Sequence, residues 1–451
     1  MTYIHAGQVL TREGWCQSVR LHVQSGRIAA LQVGVPAEAG DECHAILVPT
    51  LGNLHSHAFQ RAMAGLAEVG GDSADNFWSW REAMYRLAHR MTPEQLEAVA
   101  AQAYVEMLEC GFSRVGEFHY LHHDPAGAPY SDIGEMAGRI AAAAEVSGIG
   151  LTLLPVFYAH STFGGAAPKP AQQRFLNSLE SYEALLQRCR SLTSQLHAAV
   201  VGVAPHSLRA VTPGELTELA GLAGTSPVHI HIAEQVREVE ECLAWSGQRP
   251  VEWLLDHAPV APNWCLVHAT HVTSQEVRGI AQSGAVVGLC PVTEANLGDG
   301  VFPVARLLEH QGDFGIGSDS NVHINIAAEL SLLEYSQRLT ERARNVIRKK
   351  EHSTGRAMIE LALVGGSRAL GVQHGSIAAG SPADFMSLNE RHTALTHRAA
   401  DALLDSWIFA SSGHVVDCVW VAGAKRVSQG RHVARERVAK GFVQVMKELH
   451  S

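Results

Sequence analysis

A chain of 451 residues, 46% hydrophobic and 18% charged, carries enough apolar surface for one large domain beside a smaller one. Its net charge of −10, with only six lysines and no basic stripe interleaved with aromatics, excludes a nucleic-acid partner. No apolar run reaches bilayer length and the first residues lack a basic stretch leading into an apolar core, so the expected location is the cytoplasm, with no membrane partner.

Residues 1–48 alternate short β-like runs with turns, as in Ser18 to Val23 and Arg27 to Val33 around Gln24-Ser-Gly. From Thr50 onward, apolar strand-like runs alternate with helical patterns, the mark of repeated βα units. Strands are expected to start at Thr50, Phe112, Ile149, Ala199, Val228, Trp264, Val286 and Phe314, and eight of them predict a closed (β/α)8 barrel of the TIM type over 49–370. Between them, Thr92-Pro93-Glu94 opens a helix with a cap, a proline at the first helical position and an early acid, and Gly111 stops it. Comparable helices are expected over 133–147, 172–195, 212–222 and 273–282, and a loop over 158–170, rich in Gly, Ala and Pro, covers the mouth after the third strand. After Gly371 short strands return, in Gly375 to Leu388 and Val415 to Val421, and a charged helix runs from Ala434 to His450. The expected architecture is therefore α/β, with residues 1–48 and 371–451 pairing into a small β-sandwich beside the barrel. Eight cysteines without a C-x-x-C pair read as small buried apolar residues, neither a zinc ribbon nor a redox dithiol.

Barrels of this kind carry chemistry at the C-terminal ends of their strands. The first expected strand ends at His55 and His57, the fourth at His206, the fifth at His231, the sixth at His268 and the eighth at Asp319. With 26 histidines, a His-x-His pair arises by chance, and His229-Ile-His231 is a second one; chance does not deliver ligands to five strand ends. His55, His57, His231 and Asp319 form a nitrogen and oxygen set suited to Zn²⁺ or Fe²⁺, an ion that lowers the pKa of water to about 7 and so makes a nucleophile. Alternation along the strand selects His231 as the ligand and leaves His229 to packing. Glu234, where strand turns into helix, is placed to carry the water's proton; without the upstream histidine it would read as a first-turn acid serving the helix dipole. His268 is a candidate for stabilising developing charge, and Ser320, beside Asp319, for a local hydrogen bond. The only lysine before Lys349 is Lys169, inside Pro168-Lys-Pro170, so no strand lysine bridges two ions and one metal per subunit is expected. The absence of C-x-x-C also excludes the unrelated zinc deaminases.

The order His55-Ser-His57, His231-Ile-Ala-Glu234, a sixth-strand histidine and Gly317-Ser-Asp319, between β-rich ends carrying Gly380-Ser-Pro-Ala-Asp384, resembles the amidohydrolase superfamily over nearly the whole chain. Within it, the blocks from Leu51 to Gly65 and from Phe77 to Tyr85 resemble the N-formimino-L-glutamate deiminases of histidine degradation. The resemblance implies hydrolysis of N-formimino-L-glutamate to N-formyl-L-glutamate and ammonia, one zinc per subunit with ferrous iron as the alternative, and a homodimer. It makes Glu234, His268 and Asp319 the catalytic, proton-handling residues. It also implies a small dicarboxylate substrate, for which Arg81 and Arg209 supply cationic forks, with Gln60, Tyr120, His206 and Ser320 adding hydrogen bonds. Two rivals stand beside it. A superfamily deaminase of a purine, pyrimidine or related ring would want an aromatic or apolar clamp in place of two arginines, and a non-catalytic barrel sensing a carboxylated ligand would lack the metal.

Overall fold

The computed structural model describes residues 2–69, 77–373 and 375–449. Seventeen strands occur among them, in two groups. The first four, β1 (Thr2–Thr11), β2 (Gly14–Gln24), β3 (Arg27–Val33) and β4 (Glu42–Pro49), lead into a central series. That series is β5 (Leu51–Ser56), β6 (Phe112–His119), β7 (Gly150–Phe157), β8 (Val200–Val201), β9 (Ala204–Pro205), β10 (Val228–Ile232), β11 (Trp264–His268), β12 (Val286–Leu289) and β13 (Asp313–Ile316). Four more follow: β14 (Phe385–Leu388), β15 (Val416–Val421), β16 (Ala424–Ser428) and β17 (Arg431–His432).

The central strands pair in parallel as two arcs, β5-β6-β7-β8 with β9 also on β7, and β10-β11-β12-β13. Every residue of β5, β6 and β7 is buried, as expected for strands covered by helices on one side and a packed interior on the other. Two seams close the arcs into a barrel. At one, the His229 and His231 amides donate to the Val203 and His206 carbonyls at 3.0 and 3.1 Å. At the other, Asp319 and His57 exchange bonds with the end of β5, Asp319 N–H to His55 O and His57 N–H to Asp319 O, both 2.9 Å.

The fourth barrel position differs from the single strand expected there, because the chain pairs only as the two-residue pieces β8 and β9 and steps from β7 to β10 between them. The helix expected over 172–195 begins later: Pro170–Phe175 is a 3-10 turn, and the α-helix starts at Leu179 behind Ser178, whose side chain accepts from the Ser181 amide. Proline favours the tight turn and the serine resets the register. The helix behind Thr92 is as expected, Pro93–Glu109 with a full capping box to Gln95.

Strands from both chain ends join in one mixed eight-stranded sheet, β17-β16-β15-β14-β4-β1-β2-β3, in which β4 pairs parallel with β1 and antiparallel with β14. The sheet folds over a core of its own, with Ile4 and Leu21 from the N-terminal strands against Phe385 and Trp420 from the C-terminal ones. The terminal helix is Arg435–Leu449, and His450 lies outside the described residues. Among the described residues no helix is long and apolar enough to cross a membrane.

Candidate active site

His55 lies at the end of β5 and His57 two residues on, so both imidazoles leave on the same side; β10 adds His231 and the turn after β13 adds Asp319. Their donor atoms meet. His55 Nε2 lies 3.2 Å from His57 Nε2 and 3.0 Å from His231 Nε2, and Asp319 Oδ1 lies 3.6 Å from His55 and 3.3 Å from His57. A tetrahedral ion with ligands at about 2.0–2.1 Å spaces them roughly 3.3 Å apart.

Two of the three imidazoles are aimed by their other nitrogens, and His55 Nδ1 is buried without a partner among the described residues. His57 Nδ1–H donates to the Phe118 carbonyl and His231 Nδ1–H to the His206 carbonyl, both at 3.0 Å, which leaves their Nε2 atoms as bare acceptors. Burial takes His57 down to about 3, and burial with neighbouring imidazoles holds His55 and His231 well below the usual histidine range, so all three are neutral. Three imidazole nitrogens and a carboxylate at this spacing repel unless a cation sits among them, and the donor set fits a divalent metal ion.

The backbone at this point is pinned. Asp319 adopts φ +44° and His268 φ +66°, left-handed conformations for non-glycine residues. Behind Asp319, Asn53 Nδ2–H donates to Ser318 Oγ at 2.6 Å, Ser318 Oγ–H to Asn321 Oδ1 at 2.6 Å, and Asn321 Nδ2–H reaches the His57 and Asp319 carbonyls, both at 3.1 Å. These three buried polar residues lock the first strand of the barrel to its last.

Beside the quartet, three carboxylates surround His268. Its Nδ1 lies 3.2 Å from Glu294 Oε1, and its Nε2 lies 3.8 Å from Glu234 Oε1 and 3.6 Å from Asp319 Oδ2. Burial alone would lower its pKa, but Glu234, Glu294 and Asp319 raise it to about 10, an environment that favours the imidazolium. Burial raises Glu234 to about 7, within reach of both protonation states. The Glu234 amide is itself held by Glu238 Oε2 at 3.2 Å.

A cavity opens from the quartet toward Arg81, Arg209, Gln60, Tyr120 and His206. Gln60 Nε2–H donates to the Tyr120 hydroxyl at 2.8 Å, which leaves Gln60 Oε1 buried without a partner among the described residues. Arg81 stands on the helix Phe77–Arg90, its guanidinium carbon 4.4 Å from the Trp78 ring centroid. Two residues lie off this cavity. Ser320 Oγ pairs with Thr293 Oγ1 at 3.0 Å, the local bond its position allows, and does not line the cavity. His229 packs outward against the Ala369 carbonyl at 2.7 Å.

Sequence reasoning missed the supports. Glu294, in the short helix Pro291–Leu297, reads in sequence as an ordinary helical acid, and Asn53, Ser318 and Asn321 read as turn residues. Their roles arise only when partners as far as 265 positions apart come together. The one available signal was that Asn53 and Asn321 closely flank the ligands themselves.

An eight-stranded barrel with this quartet on its rim defines a metal-dependent hydrolase, and the chain belongs to the amidohydrolase family, whose model matches residues 46–426. A narrower likeness lies within that class. Residues 1–45 match the model described as formimidoylglutamate deiminase HutF, N-terminal domain, and the chain is 48% identical over 453 residues to the formimidoylglutamate deiminase of Pseudomonas aeruginosa, covering 100% of each. The crystal structure of an amidohydrolase from Brucella melitensis superposes with a TM-score of 0.97 at 54% identity, again over 100% of both chains. The 8-oxoguanine deaminase of Pseudomonas aeruginosa is 27% identical over 437 residues, covering 94% of this chain and 92% of that protein.

Proposed function

We propose that this chain hydrolyses N-formimino-L-glutamate to N-formyl-L-glutamate and ammonia, a step of histidine degradation. The observation that carries the reading is Arg209. Its side chain is only 8% exposed, its Nη2 comes no nearer to Glu238 Oε2 than 3.9 Å, and its Nε and Nη1 have no partner among the described residues. A buried guanidinium with an open fork suits a carboxylate, and Arg81 supplies a second cation on the same cavity. One end of the cavity thus suits a dicarboxylate tail and the other a reactive carbon, whereas a neutral ring makes no use of either arginine.

Zinc is the ion we assign to His55, His57, His231 and Asp319, on the three-imidazole, one-carboxylate donor set. When bound, it supplies the Lewis acidity that makes water a nucleophile near neutral pH. Glu234 takes a proton from the water that adds to the formimino carbon and delivers it to the imino nitrogen. The His268 imidazolium, between Glu234 and Asp319, stabilises the charge that develops on oxygen. The hydroxyl proton of the tetrahedral adduct then passes to the same nitrogen as C=O forms, the C–N bond breaks, and ammonia leaves. The cytoplasm and a homodimer belong to the same proposal.

Incubation of metal-loaded protein with N-formimino-L-glutamate should release one ammonia per N-formylglutamate formed. No release above an Asp319→Asn control removes the reading.

A further inference from the structure

Away from the barrel rim, a second set of donor atoms converges on the mixed sheet: His44 of β4 with Asp417 and Cys418 of β15, all three donor atoms within 4.8 Å of one another. Neighbours on a regular strand point to opposite faces, so Asp417 and Cys418 should not meet. They meet because of a bulge. Ser387 pairs with Cys418 and Leu388 with Val416, which leaves Asp417 as the extra residue and turns its carboxylate back beside the thiol, Sγ to Oδ2 3.4 Å.

His44 is aimed into this pair from the other side. Its Nε2–H donates to Glu42 Oε1 at 2.7 Å, and Lys425 in turn holds Glu42. That bond leaves the lone pair on Nδ1, which faces Asp417 Oδ2 across 4.0 Å. The Cys418 thiol donates to Asp417 Oδ2, so His44 Nδ1 and Asp417 Oδ2 face each other with no proton between them, and a carboxylate behind a histidine is the arrangement that orients a metal-binding imidazole. A tetrahedral ion with N and O donors at about 2.0–2.2 Å and S at about 2.3 Å spaces them roughly 3.3–3.6 Å apart; Asp417 and Cys418 already stand at 3.4 Å, and His44 closes from 4.0 Å to complete the set. Ser387 Oγ–H donates to Asp417 Oδ2 at 3.3 Å, and His44 and Asp417 face a groove that His414 also lines, with Cys418 buried behind them.

We propose that His44 Nδ1, Asp417 Oδ2 and Cys418 Sγ form a second metal site, specific for borderline-soft divalent ions such as zinc or cobalt. The mixed N, O and S donors select against magnesium and calcium. Binding forms the metal–sulfur bond and releases the thiol proton to solvent. Because β4 comes from the N-terminal segment and β15 from the C-terminal one, a bound ion ties the two ends of the chain together.

The barrel quartet contains no sulfur, but Cys290 lies beside it with His268 and Asp319, so the Cys418→Ser variant is what tells the two sites apart. Chelator-stripped full-length protein titrated with Co²⁺ should take up two equivalents, one of them with a thiolate-to-cobalt charge-transfer band in the near ultraviolet. Cys418→Ser should take up one equivalent, lose the band and keep its hydrolytic activity within about twofold, the retained activity reporting that it folds. Asp417→Asn, which keeps the thiol, should weaken the band-forming site at least about tenfold. A wild-type protein without the band, or a band that survives Cys418→Ser, overturns the proposal, and the first result is what an imidazolium held between Glu42 and Asp417 with no ion would give.

Discussion

The two ends of the active-site cavity are built on different plans. At the metal end three of the four donors are aimed by hydrogen bonds: carbonyls hold His57 and His231 from behind, and Asp319 is laced into the end of β5 by a pair of 2.9 Å backbone bonds, while His55 is fixed by packing alone, its Nδ1 unpartnered among the described residues. At the arginine end the reverse holds, since Arg209 is buried with two N–H groups unpartnered among the described residues. The metal end is complete as a set of acceptors and calls for a cation, while the arginine end is a set of donors and calls for an anion. A molecule that satisfies both has a carboxylate tail and an electrophilic head, and that contrast selects a formimino amino acid over a ring.

The contrast breaks most severely at Asp319, the proposed ligand that is also a seam residue and neighbour of His268. Asp319→Asn should lower kcat by roughly 10³-fold or more and reduce bound zinc, read by ammonia release and elemental analysis. Next comes the arginine end. Arg209→Gln removes a desolvated charge contact of about 2–5 kcal/mol, so kcat/KM for the dicarboxylate should fall by roughly 30-fold to a few thousandfold while bound zinc stays constant. Equal loss of metal in both variants would dissolve the distinction between the two ends.

Smaller effects sharpen it. Glu294 helps keep His268 protonated, so Glu294→Gln should lower kcat about 10- to 100-fold with KM unmoved. The sign follows from the charge: losing a carboxylate lowers the His268 pKa, and the basic limb of the pH–rate profile moves to lower pH. In the proposed reaction Glu234 works as a carboxylate, and burial raises it to about 7, so kcat/KM should rise with pH along an acid limb whose midpoint lies at or below about 7, a nearby cation moving it further down. The smallest change belongs to the seam, where Asn321→Ala should cost about 1–3 kcal/mol in denaturant melts with an unchanged m-value.

The convergence of His55, His57, His231 and Asp319 was legible in the sequence because each sits at a strand terminus, and strand termini announce themselves by apolar runs and turn residues. Seven of the eight expected strand starts fall within one residue of an observed strand and belong to unbroken strands. The broken one, β8 with β9, lacks continuous pairing because the chain changes neighbours there, which no local pattern records. The arginine end was less legible: Arg81 stands on a helix and Arg209 in a loop, where charges are ordinary, and only the resemblance singled them out. Glu294 and the Asn53, Ser318, Asn321 network were invisible, since a hydrogen bond between residues 265 positions apart leaves no periodicity. Ser320, placed in the substrate set by its proximity in sequence to Asp319, has its hydroxyl on Thr293 in this structure.

Anomalous diffraction at the zinc edge, from crystals carrying a non-hydrolysable amidine mimic of the substrate, tests the account most directly. It should show an ion within about 2.0–2.2 Å of His55, His57 and His231 Nε2 and of Asp319, with the mimic's carboxylates on Arg81 and Arg209 and its amidine carbon turned to Glu234. No ion among those four residues, or a mimic bound with its carboxylates away from both arginines, would contradict it.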